Sequence, residues 1–482
     1  MRLLKITLFA FVVFGFTTSC FEDQDDNAIT ANEINDFVWK GMNAVYLYKS
    51  GIPDLANDRF TSNQDYADYL NSYSSPESLF ESLIFERQTV DRFSWIVDDY
   101  IALEQELGGT STSNGLEFLF YFAPGSTTEV FGIVRLVLNN SVASGLGLER
   151  GQIFNAVDGT SLTADNLNTL LNQDTYTLNF ATYDDNGTPE VDDDMILPST
   201  DSVSLTKEVY TENPVHLTSV IDVDGENLGY LVYNGFNRNF NTELNNAFAA
   251  FQSNNIQHLV IDLRYNPGGS VNTSSLLGSM VTGQFNGEIF SKLVFNDDNQ
   301  ASNSNFIFVN DIDGNVLNSL NLDKVYVLTT ERSASASELL INSLDAYVDV
   351  VQIGDFTTGK TQASITIYDS PNFARENANP NHTYAMQPLV ANSINVNDLA
   401  VPSSGLMPDI EVTESPRDFG TLGDVNERLL AAAILDIQNS GRSFVENSDN
   451  FKAIKNVVDY NPFEEDMYIE ADILFNRLDI KN

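Results

Sequence analysis

The stretch TTERSASASELLINSL, residues 329–344, decides how this chain folds. It joins an apolar run, KVYVLTT from Lys324, to a segment with Ala336, Leu339, Leu340 and Leu344 on one helical face. Strand, small-residue turn and helix is the repeating unit of an α/β sheet. A serine at the start of such a helix can expose its hydroxyl, and the amide that follows, on Ala336, is free to stabilise an oxyanion. The same letters also spell a capping box, Ser335-x-x-Glu338, in which serine caps the first turn and glutamate reaches back. Taken alone, the stretch fits the cap at least as well as the nucleophile.

Outward from it, strands alternate with helices over about 205–440. NLGYLVYNGF (227–236), IQHLVIDLR (256–264) and VDVVQIG (348–354) read as strands, NTELNNAFAAFQSN (241–254) and SVNTSSLLGSMV (270–281) as helices. That is an α/β core with a substantial parallel component. Residues 32–107 read as a small helical domain: Ile34, Phe37, Val38, Met42 and Val45 form one stripe, and PESLFESLIF and SWIVDDYIALEQEL repeat the spacing. GGTSTSNG (108–115) marks a break. After it come strands at 116–123 and 131–138, a short helix, a strand closed by Asp158-Gly159, and a capped helix over 163–172 with Leu167, Leu170 and Leu171 inward. This order resembles a PDZ domain over 111–200. The resemblance implies that Gly115, Leu116, Glu117 and Phe118 form a loop offering amides to a peptide's terminal carboxylate, with the peptide adding a strand to the sheet edge. Glu117 stands where that family often has glycine. The acidic DDNGTPEVDDD (184–194) lacks calcium-loop spacing and reads as a solvated hairpin.

The first twenty residues have a basic start (Arg2, Lys5), an 11-residue apolar run from Ile6 to Phe16, and small residues leading to Cys20. Residues 1–19 are expected to be a secretory signal, too short to span a bilayer. Cys20, the only cysteine, stands where a lipoprotein signal is cut and acylated, with 20–31 an acidic tether. The expectation is one lipid anchor in the membrane and a body in the cell envelope, on the periplasmic face or the outer surface of the outer membrane. Loss of Arg2 and Lys5 leaves 22 basic against 68 acidic residues, a net charge of −46, which excludes nucleic acid as a partner. Three histidines, none in a paired motif, argue against a catalytic zinc.

Gly354 to Thr361 matches the phosphate-loop pattern G-x-x-x-x-G-K-[ST], and Asp262 at the end of HLVID resembles its magnesium-holding partner. A phosphate loop needs a helix starting at its lysine. The residues after Lys360, TQASITIYDS, alternate like a strand, so the pattern is coincidental.

Three segments together give Lys360 another role. VIDLRYNPGG (260–269) ends a buried strand in a Gly268-Gly269 turn, SASASE surrounds Ser335, and TTGK places Lys360 25 residues beyond that serine. In this order, with SSGLMPDIEV at 403–412 and DRFSW at 91–95, the chain resembles the C-terminal processing peptidases, or tail-specific proteases. The resemblance covers roughly 85–440. It implies a ClpP/crotonase-like serine peptidase core, with Ser335 as nucleophile, Lys360 as general base, and the amides of Ala336 and of Gly268 or Gly269 as oxyanion donors. A lysine can serve as base where burial disfavours its charged form, by roughly 3 to 5 pKa units for fully buried groups. That family commonly sets a glutamine four residues after the lysine to orient it; here Ser364 stands there and Gln362 two residues after, so either is a candidate. Phe93 and Trp95 read as core, and Asp345 as a residue that caps or solvates the end of the serine helix. The implied function is a serine endopeptidase acting on polypeptides with accessible C-termini, with no metal or cofactor. The competing reading is a PDZ-type peptide-binding lipoprotein with weakened catalysis. A homodimer is compatible with the sequence, and residues 441–482 match nothing assignable.

Overall fold

The computed structural model describes residues 32–312, 314–438, 451–454 and 467–469. The signal-like segment, Cys20, the tether and most of 441–482 lie outside them.

The core is a mixed sheet of strands 215–223, 226–233, 258–262, 324–329, 349–354 and 410–411, in that spatial order. The first pair is antiparallel and the rest are parallel. Side chains alternate across it as the pleat requires. Leu231, Leu259, Ile261, Val325 and Val327 face the helices Asn241–Ser253, Val271–Thr282 and Ala336–Leu344. Tyr230, Val232, Val260, Tyr326 and Leu328 face the helix Arg428–Ile437. Cover on both faces is why these strands read as near-continuous apolar runs. A second sheet has the order 269–270, 467–468, 362–364, 389–394, 289–295, 304–307.

Helices Glu33–Val45, Asn63–Asn71 and Pro76–Ser82 form the N-terminal part. Phe37, Val38, Met42 and Val45 are buried, and they belong to the same apolar cluster as the α/β core rather than to one of their own. Gly41 permits that contact, since a Cβ there would stand 2.7 Å from the side chains of Ile367 and Met386. The helix expected from Ser94 starts later. Trp95–Val97 pairs antiparallel with Ala385–Gln387, and the helix Tyr100–Leu107 begins where Asp99 Oδ1 accepts from the amides of Ile101 and Ala102.

The middle part is an antiparallel sheet of strands 116–122, 130–137, 153–157, 175–184 and 195–206, in that order, with short helices Val142–Gly145 and Leu167–Leu171. The helix read over 163–172 shrinks to five residues because Asn166 Oδ1 accepts from Thr163 N instead of capping a first turn. Asp184 pairs with Met195, so the acidic segment is a hairpin. Among the described residues no helix is long and apolar enough to cross a membrane.

Candidate active site

In an open parallel sheet, ligand-binding groups gather at the carboxyl ends of the strands. Strand 258–262 runs there into Leu263–Gly269, and strand 324–329 into the turn before Ser335. Ser335 has φ +64° and ψ −115°, a conformation that costs a non-glycine residue roughly 1–3 kcal/mol. The turn is held from three sides. Ser333 Oγ donates to Leu263 O (2.8 Å), Ala334 N and Ser337 Oγ both donate to Asn266 O (3.2 and 3.0 Å), and Ser335 N donates to Glu338 Oε2 (2.8 Å). Of the capping box, then, the glutamate arm is closed. The Ser335 hydroxyl itself is buried without a hydrogen-bond partner.

Glu338 does more than cap. Its Oε2 also accepts from Lys360 N (2.9 Å), and its Oε1 accepts from Gly359 N (2.7 Å) and from the Thr357 hydroxyl. Two donors on one oxygen bring the backbones of Ser335 and Lys360 together, although 25 positions separate them in the chain. All four partners are donors, which uses the acceptor capacity of an ionised carboxylate. Burial pushes the Glu338 pKa up, and the four donors pull against that rise. The Lys360 side chain is buried, with Nζ 5.1 Å from the centre of the Phe93 ring. Phe93, read from sequence as core, therefore walls the lysine. The strand Gln362–Ser364 follows Lys360, so no helix N-terminus exists to hold a phosphate.

The glycine turn has φ +120° at Gly268 and +125° at Gly269. A Cβ at Gly269 would fall 2.4 Å from Phe236 O, so only glycine fits. Gly268 N donates to Asn266 Oδ1 (2.9 Å), and Gly269 opens a two-residue strand paired in parallel with Met467. Ser364 Oγ faces two acceptors, Gln387 Oε1 at 2.7 Å and Met467 O at 3.1 Å, and Gln362 opens the strand that follows Lys360. Asp345 is the C-cap of the serine helix.

In the loop before strand 116–122, Gly115 N donates to Ser113 Oγ (2.9 Å) and Leu116 N to Asn114 Oδ1 (3.1 Å). Of the four amides expected to capture a carboxylate, those of Gly115 and Leu116 are thus satisfied locally. Glu117 pairs with Arg135 at 2.9 Å, and Phe118 packs on Phe154. A cavity of about 990 Å³ runs from Leu116, Phe118 and Phe120 to Gly268, Gly269 and Thr358. Beside it Arg150 reaches from the middle part to Glu414 (2.6 Å), and Arg264 bonds Glu414, Glu427 and Asp262. Asn266 and Arg264 carried a signal in the string DLRYNPGG. Glu414 carried none.

The chain matches the model of Peptidase family S41 over residues 227–411 and that of the Peptidase S41 N-terminal domain over 33–95. It is 25% identical over 240 residues to a carboxyl-terminal-processing protease of Picosynechococcus, covering 49% of this chain and 52% of the relative. With a protein of Staphylococcus epidermidis named as a CtpA-like serine protease it shares 28% identity over 147 residues, 30% of this chain and 28% of the other. The matches therefore span about half the length of the first relative and less of the second. The fold is shared with the crystal structure of an S41-type protein from Bacteroides fragilis, at a TM-score of 0.68 and 24% identity, covering 84% of this chain and 97% of that one.

Proposed function

Because the chain belongs to peptidase family S41 through both its N-terminal and its core segments, we propose that it is a serine endopeptidase cutting polypeptides near or from their C-termini. Ser335 Oγ attacks the scissile carbonyl while Lys360 Nζ takes its proton. The amides of Ala336 and of Gly268 or Gly269 bind the oxyanion. The amine product leaves with the proton from Lys360, and water then hydrolyses the acyl ester on Ser335. The observation that carries this reading is the single Glu338 oxygen that binds both Ser335 N and Lys360 N. The test is incubation of the purified chain with an unfolded protein beside Ser335→Ala and Lys360→Ala. Cleavage is expected from the parent alone; equal cleavage by all three would remove the dyad.

The middle part is proposed to be a PDZ-like peptide-binding domain. A second reading, a peptide-binding lipoprotein without catalysis, is favoured by one feature: the Ser335 hydroxyl is buried and accepts no hydrogen bond. No cleavage by any of the three proteins, with peptide binding retained, would select it. Anchoring in the cell envelope through acylated Cys20 rests on the sequence pattern around that residue. Radiolabelled palmitate should mark the parent in cells and not Cys20→Ser.

A further inference from the structure

Strand Leu116–Phe122 is paired with Val130–Val137 on one side. Along its other side runs the chain's own segment 451–454, antiparallel to it. Tyr121 faces Ala453, Phe122 N donates to Lys452 O (3.1 Å), and Ile454 N donates to Phe120 O (2.8 Å). Phe451 meets the rings of Tyr121 and Tyr183 edge-on, at 5.8 and 6.0 Å, on one face of the sheet. Ile454 packs on the other face, against the cluster that holds Phe118 and Phe154.

A second piece of the same tail lies deeper. Met467–Tyr468 runs parallel to Gly269–Ser270 and beside Ser364, and Ile469 N donates to Ser364 O at 3.0 Å. Met467 and Ile469 are 0% and 2% exposed and belong to the main core. The outer piece is less buried: Lys452 and Ala453 are exposed and Phe451 and Ile454 half-buried. Ala453, Ile454 and Tyr468 all line the cavity that joins this edge to the glycine turn.

We propose that the outer edge of Leu116–Phe122, away from Val130–Val137, is a peptide-binding edge occupied in cis by Phe451–Ile454, which an extended substrate segment with aromatic-x-x-aliphatic spacing displaces on its way to Ser335. Main-chain bonds supply affinity, and the two flanking apolar contacts supply selectivity. An internal segment is read rather than a terminal carboxylate, because the amides of Gly115 and Leu116 are already bonded within their loop. The inference rests on the peptidase reading for its catalytic consequence only.

The test uses the full chain carrying Ser335→Ala, with and without Phe451→Ala and Ile454→Pro, and a labelled peptide copying residues 449–456, DNFKAIKN. Removing the cis competitor raises the fraction of competent edge, so fluorescence polarisation should report a Kd on the order of tenfold tighter for the tail variant. Equal Kd for both chains, or binding to neither, overturns the proposal. Should the double substitution unfold the chain, Ile454→Pro alone removes one donor and keeps the comparison. With Ser335 intact, the tail variant should show a lower KM for an unfolded protein at unchanged kcat. Absence of cleavage in every chain would refute the peptidase reading while leaving the polarisation result to decide this one.

Discussion

Glu338→Gln separates the cap from the clamp. An ordinary capping glutamate satisfies one amide, and its amide isostere does so nearly as well. Here the side chain takes four donors, two on each oxygen. Glutamine has one acceptor oxygen, so its NH2 must face one pair. Toward Ser335 N and Lys360 N it would orphan both. Toward Thr357 and Gly359 it orphans Gly359 N, while the Thr357 oxygen, which already accepts from Leu406 N, can accept a second bond from the NH2 if its own proton turns away. That second orientation is therefore the one adopted.

Its cost can be assembled. One buried amide without a partner costs about 1–3 kcal/mol, and each remaining bond loses charge assistance of about 1 kcal/mol. The total is roughly 3–5 kcal/mol, a large share of the roughly 5–15 kcal/mol that holds a domain folded. At about 2–4 °C per kcal/mol, Tm should fall by on the order of 10 °C. Catalysis should fall less than the cap-to-clamp difference suggests, on the order of tenfold and in kcat, since Ser335 N and Lys360 N keep their shared oxygen. Glu338→Ala releases all four donors and, with the reacting groups misplaced, should cost on the order of a hundredfold or more. Thermal unfolding and steady-state cleavage of a labelled unfolded protein measure both quantities. If Glu338→Gln changed neither Tm by more than a degree or two nor kcat by more than about twofold, the clamp would be a cap and nothing more.

Two further outcomes follow from buried carboxylates. Burial pushes Glu414 up, but Arg150 and Arg264 outweigh it and hold the carboxyl at about 2. A depressed folded-state pKa stabilises the protein above the ordinary glutamate value and is lost as pH falls toward 2. Tm should therefore drop steeply between about pH 5 and pH 2.5, and Glu414→Gln should flatten that slope; an unchanged slope refutes the assignment. Glu212 is the opposite case, pushed up to about 7 by burial and by Glu117. Its folded form binds a proton more tightly than the unfolded chain does, so stability declines as pH rises from about 4.5 to 7. Glu212→Gln should raise Tm at pH 8 and leave it unchanged at pH 4, and a loss of stability at pH 8 would contradict the sign.

What could be read from the sequence was whatever a residue's own backbone or a short period demands. Gly268-Gly269 announced positive φ, the apolar runs announced strands buried on both faces, and the stripe on 336–344 announced a helix behind a small-residue turn. The three motifs added register, because their order and spacing match a family pattern. Contacts whose partners are far apart in the chain left no such trace. Glu338 at three residues after Ser335 has the spacing of a capping box whether or not Thr357, Gly359 and Lys360 also bond it. Arg150, Arg264 and Glu414 converge from three segments, and no local rule connects them. Trp95–Val97 is too short for any period to show, so the helix pattern of its neighbours absorbed it. The hardest feature was the tail. A strand added to a sheet edge is held by main-chain bonds that any residue except proline can make, so FKAI at 451–454 looks like nothing until the edge of Leu116–Phe122 is set beside it. The loop before that strand shows the reverse: its sequence invited a terminal carboxylate, while the short side chains of Ser113 and Asn114 bond two of its four amides, those of Gly115 and Leu116. Both outcomes have the same cause, since backbone donors and acceptors are common to every residue and only the fold determines which of them stay unpaired.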